Sequence, residues 1–206
     1  PTSIKDPPMT VVEGKVSYGM NLDGDTEGKA TANTCAHGNF TGDTGTAGVD
    51  NQVYRLLGCT FGWRSSGYME NNAASERRDS SHGILLIEVT NVDDAMNDND
   101  VTVGFYRNLD SLPKDSKGQI LPNGSYRADN SGRYSATTKG RIVNGLLTAD
   151  PVDAHLPFFG TGVERHMFIK GMRLQINIAG DTVKKGMIAG YHDLENWWGY
   201  MQQIGR

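Results

Sequence analysis

The chain has 206 residues, a formal net charge of −4 and a pI near 5.7. Its longest basic runs are the pairs Arg77-Arg78 and Lys184-Lys185, too little positive charge for a nucleic-acid partner. The longest apolar run is Ile84 to Ile87, so no membrane span is expected.

Hydrophobic residues make up 37% of the chain, and 26 residues are glycine, nearly twice the usual glycine share. That usage suits many short strands and tight turns, because glycine takes positive φ without steric cost. One domain over residues 1–206 is expected at this length. The chain opens PTSIKDPPM, with neither an initiator Met nor a signal-peptide core. This points to a start removed either by processing or by the choice of expressed fragment, with residues 1–9 as an extended arm.

TVVEGKVSY, Thr10 to Tyr18, reads as a strand with Val12 and Val16 on one face. From Asp23 to Gln52 the chain then packs five carboxylates, six glycines and a cysteine. Asn21, Asp23, Asp25 and Glu27 present oxygen donors at alternate positions, as a loop around a hard cation such as Ca²⁺ requires. Asp43, Asp50 and Asn51 extend the candidate ligand set, with Asn39 beside them. The segment is no EF-hand, since its glycine falls too early and the closing Glu is missing. The competing expectation is a solvated turn in which Asp and Asn side chains bond their own backbone. Phosphate-binding patterns are absent, and the local charge would repel phosphate.

Cys35 and Cys59 enclose this polar segment. A disulfide between them would stabilise by about 3 kcal/mol on a chain-entropy argument. It would also imply an oxidising compartment, periplasmic or extracellular. VYRLLGCTFGW is expected to hold a helical turn from Gln52 to Leu57 that leads into a buried strand. RSSGYMENNAASERRDSS, polar throughout, reads as an exposed excursion.

ILLIEVTN and VTVGFYRN alternate as a hairpin around an acidic tip, Asp93 to Asp100, itself a weaker candidate for a cation. Glu88 is a charge inside ILLIEVT, and alternation places it opposite Leu85 and Ile87. The stretch after the hairpin is rich in turn signatures. Strands resume over Ala136 to Asp150 and Arg165 to Gly180, with Met172, Leu174, Ile176 and Ile178 pointing one way. Leu194, Trp197, Trp198 and Met201 fall at helical spacing after an Asp193 cap, which predicts a short C-terminal helix. The expected architecture is all-β: an antiparallel two-sheet sandwich of jelly-roll or lectin kind, with long loops and that helix.

No histidine pair shows zinc spacing, Cys35-Ala36-His37 is not a haem-attachment motif, and no nucleophile elbow is present. Trp63, Tyr68, Trp197 and Trp198 offer flat apolar faces of the kind that stack on sugar rings. The leading expectation is a secreted or periplasmic binding module, Ca²⁺-stabilised, for a polysaccharide or a protein partner. The alternatives are a polysaccharide hydrolase or lyase using paired carboxylates such as Glu88, and an accessory subunit of a larger extracytoplasmic complex.

Overall fold

The structure is a computed structural model that describes residues 15–29, 31, 39–53, 84–117, 120–160, 163–179 and 182–204. The chain divides into two compact units, one over residues 5–75 and the other over 76–206 together with 1–4.

In the smaller unit, β1 (Phe40–Thr41) and β2 (Ala47–Val49) pair antiparallel around a turn in which the Gly42 N–H donates to the Thr46 carbonyl. Of the strand expected over Thr10 to Tyr18, residues 15–18 are described, and Val16 makes a single parallel bridge to Thr41. Ser17, fully buried, donates its hydroxyl to the Asn51 carbonyl, 3.2 Å away. Gln52 and Val53 are helical, as expected; the rest of that turn, and the strand after it, lie outside the described residues.

The larger unit is one antiparallel sheet. Its strands are β3 (Leu85–Thr90), β4 (Asn97–Asn108), β5 (Ala128–Asp129), β6 (Ser135–Val143), β7 (Leu146–Ala149), β8 (Val152–Gly160), β9 (Val163–Ala179) and β10 (Thr182–His192). The order is β10-β9-β7-β6-β4-β3, with β5 added to β4 and β8 to β9. The sheet curls into a half-barrel, so one inward face supplies its own core. Strands therefore dominate, as composition predicts, and a short helix closes the chain. A two-layer sandwich is not seen among the described residues.

The core follows from period-two alternation. Val101, Val103 and Phe105 of β4, Ile142 of β6, Leu147 and Ala149 of β7 and Ala154 of β8 are buried together with Ile169, Met172 and Leu174 of β9. Strict alternation would put Ile169 and Met172 on opposite faces. A bulge at Gly171 resolves this: Ala154 faces Ile169 while Val152 faces Met172, so two steps on β8 match three on β9. The step between Ala189 and Tyr191 of β10 does the same. Gly171 holds φ +56°, which glycine adopts without Cβ strain. Its N–H donates to Asp153 Oδ1, 2.8 Å away, which fixes the bulge. Opposite the bulge, a Cβ on Gly190 would lie 2.3 Å from Ile169 Cγ2.

Two expectations are corrected here. Ala136 to Asp150 is two strands, because Asn144 and Gly145 both take positive φ (50° and 78°) and form a tight hairpin turn. β8 is not among the expected strands, and it contains Pro157. That proline is tolerated because, among the described residues, β8 pairs with β9 alone, so the missing N–H can sit on the unpaired side.

Helix α1 (Leu194–Ile204) follows β10 and begins as predicted. Asp193 Oδ1 accepts the Asn196 N–H at 2.8 Å, an N-cap that satisfies one of the otherwise unpaired first-turn donors.

Candidate functional site

The acidic loop is built by its own backbone. Asn21 Oδ1 accepts the Gly24 N–H at 2.7 Å, and Asp23 Oδ1 accepts the Asp25 N–H at 2.8 Å. Asp25 takes the Glu27 N–H on one oxygen (3.0 Å) and the Lys29 N–H on the other (2.8 Å). The Glu27 N–H, with lesser help from that of Lys29, holds the Asp25 carboxyl below the usual carboxylate range against the opposing effect of burial. Asp50, nearly buried, accepts the Leu22 N–H at 2.6 Å and the Asp23 N–H at 3.3 Å through Oδ2. Asn51 donates to the Tyr18 carbonyl at 2.6 Å. Glu27 pairs with Lys29, and Asp43 sits in the exposed turn between β1 and β2.

Asn21, Asp23 and Asp25 thus spend oxygen lone pairs on nearby backbone N–H groups, the pattern of self-bonded Asx turns, while Asp50 takes its N–H groups from the distant 22–23 segment. Among the described residues, no three His, Cys, Asp or Glu side chains converge on a point that could hold a metal. Cys35 and Cys59, with Trp63, Tyr68, His37 and His82, lie outside the described residues.

Glu88 is exposed on the outer face of β3, as alternation predicts. Its row across the sheet runs Glu88, Gly104, Thr137 and brings no second carboxylate beside it. His155 and His166 lie on the paired strands β8 and β9 but two residues out of register, and His155 faces Phe168 directly, with ring centroids 4.7 Å apart. Burial lowers the His155 pKa, and the Arg133 guanidinium adds in the same direction.

The terminal helix carries the remaining expected residues. Trp197 and Trp198 are both on α1, and Trp198 is 63% exposed. Leu194, one turn earlier, is 79% exposed. Glu195 and Gln202, three residues before Trp198 and four after it, are also exposed. Residues at these spacings share a helix face. An indole normally contributes to a core, and here one is presented to solvent between two polar side chains.

Sequence reasoning missed a polar cluster at the end of β4. Arg107 Nε donates to Asp129 Oδ2 at 2.9 Å and its terminal nitrogen to the same oxygen at 2.5 Å. The guanidinium lies over the Tyr134 ring, 3.9 Å from the centroid. Hydrogen bonds from Ser131, then the Arg107 guanidinium, hold the Asp129 carboxyl below its ordinary range despite burial. Next to it, buried Asn108 accepts the Ile84 N–H and donates to the Asp110 carbonyl. The cluster ties the 109–134 connection to the sheet. Nothing in ADNSGRY signals it beyond an Asp followed by turn residues.

No known protein family matches the chain, and neither characterised proteins nor solved structures show significant similarity to it. No helix among the described residues is long and apolar enough to cross a membrane.

Proposed function

We propose that the protein is a non-catalytic module that binds a polysaccharide, with Trp198 as its anchor. The observation that carries this reading is the solvent-facing indole of Trp198 on a capped terminal helix, flanked by Glu195 and Gln202. A flat apolar ring beside hydrogen-bonding side chains matches the two faces of a sugar, whose ring hydrogens stack while its hydroxyls bond. The other acids weigh toward binding over hydrolysis: Glu88 has no carboxylate in its row, and Asp23 and Asp25 accept backbone N–H groups of their own loop.

A second reading, docking of a protein partner on this same helix, is favoured by the exposure of Leu194 beside Trp198. The reading keeps the module outside the reducing cytosol, supported by the way Cys35 and Cys59 bracket a glycine-rich segment. It does not require a structural Ca²⁺.

A microarray of neutral and acidic polysaccharides tests the proposal. The wild-type chain should retain one class of glycan, and Trp198→Ala should lose it while melting at the same temperature. Equal retention by the variant would refute the assignment, and release of shorter sugars from the retained glycan would replace binding with hydrolysis.

A further inference from the structure

We propose that the tips of the β3–β4 and β6–β7 hairpins form a second docking surface, for a segment of a partner protein that combines apolar and basic side chains. This surface does not rest on the glycan reading.

Hairpin tips are ordinarily polar, because they lie in water and contribute nothing to a core. Here Met96 is 49% exposed, Val143 47%, and Val92 and Leu146 are exposed as well. The two tips are joined. The Gly145 N–H donates to the Met96 carbonyl at 2.9 Å, and the Asn144 N–H to Asn97 Oδ1 at 3.1 Å. A Cβ on Gly145 would lie 3.6 Å from Met96 Sδ, so the thioether rests on the neighbouring turn. Val143 and Leu146 face one another directly, and Val143 also faces Asn97. Ile142 and Leu147, their chain neighbours, point into the core. Val143 and Leu146 therefore stand on the outer face.

The surface is fixed in advance. Asp98 accepts the Asp93 N–H at 2.7 Å and the Asp100 N–H at 3.0 Å, and Asp94 accepts the Met96 N–H at 2.8 Å. Asn91 adds a left-handed residue at φ 58°. A rigid tip gives up little conformational freedom on binding, while Met96 supplies a side chain that adapts to irregular apolar partners.

Charge selects the occupant. Asp93 and Asp94 share the β3–β4 tip with Met96, Asp98 lies opposite core-facing Ile142 and takes N–H groups of the same tip, and Asp100 is paired with Lys139 at 2.6 Å. Arg141, two residues before Val143 on the same face, bounds the patch on one side. An apolar centre flanked on the tip side by Asp93 and Asp94 attracts Lys- or Arg-bearing segments and disfavours acidic peptides, anionic lipid and nucleic acid.

The test uses the full chain labelled with ¹⁵N and two defined peptides of equal length, one a Lys-Leu repeat and one a Glu-Leu repeat. The Lys-Leu peptide should shift the amides of residues 92–98 and 143–146. The double variant Met96→Ser, Leu146→Ser should weaken that binding about tenfold, and Asp93→Asn should weaken it less. Both exposed changes are checked for an unaltered melting temperature, and Asp93→Asn carries the test if the double variant melts early. The proposal is overturned by any of four results: no binding, equal binding of the Glu-Leu peptide, shifts centred on Asp23, Asp25 and Glu27 with the tips silent, or undiminished affinity in the variants.

Discussion

Replacing Asp129 by alanine should strip the end of β4 of its main polar tie. The carboxylate takes two hydrogen bonds from Arg107 and one from the Ser131 N–H at 2.9 Å. The side chains of Arg107 and Asp129 are only 18% and 9% exposed. Removing one partner of a buried pair costs about 3–5 kcal/mol, because the other charge is left desolvated. Arg107 keeps its stacking on Tyr134 and some access to water, so about 2–4 kcal/mol is expected here. Urea unfolding followed by tryptophan fluorescence and circular dichroism measures it as a fall in midpoint at constant slope. The double variant Arg107→Met, Asp129→Leu should recover much of the loss, since matched apolar replacements leave no orphaned charge.

The pH dependence has a definite sign. Asp129 titrates lower in the folded chain than in the unfolded one, so its contribution is complete above about pH 4 and is lost as pH falls further. A loss below about 0.5 kcal/mol in Asp129→Ala at pH 7, inside the range of ordinary surface changes, would refute the reasoning.

Gly190→Ala should destabilise by about 1–3 kcal/mol, the range for overpacking, because its Cβ would press on Ile169 and on the backbone of the bulge; thermal melting checks it. Gly171→Ala meets no neighbouring atom, and its cost of about 1–2 kcal/mol should come from the left-handed backbone alone, so Gly171→Asn should be milder. His155, whose folded pKa is lowered, should make stability decline as pH drops through about 6.5, since the unfolded chain protonates first. His155→Phe should flatten the melting temperature across that window.

The strands with clear alternation were legible. Val101, Val103 and Phe105 in β4, and Met172 and Leu174 in β9, lie buried where periodicity put them. So was the helix start, because Asp193 is a local cap whose effect does not depend on the rest of the fold. The Asn144-Gly145 turn was written plainly in RIVNGLLTAD, but the long apolar-rich run around it read as one strand. β8 went unread, and its Pro157 is a residue whose tolerance in a strand depends on which side is paired. The bulge at Gly171 was invisible, since only the register of three strands together shows that Ile169 and Met172 share a face.

The same limit governed the candidate sites. Oxygen donors at alternate positions describe a cation loop and a set of Asx turns equally well, and the difference is where the N–H groups of Gly24, Asp25, Glu27 and Lys29 point. The exposed Met96 sits in a connector read for its acids, and Val143 and Leu146 sit in a run read only as strand. Their meeting at two tips is a product of the sheet order.

Titration calorimetry of the full chain against the oligosaccharide that scores highest on the array tests the central claim most directly. Trp198→Ala should bind at least about tenfold more weakly than wild type, the loss expected for a central aromatic contact, with no change in melting temperature. Matching affinities for the two proteins would contradict a binding module anchored by Trp198.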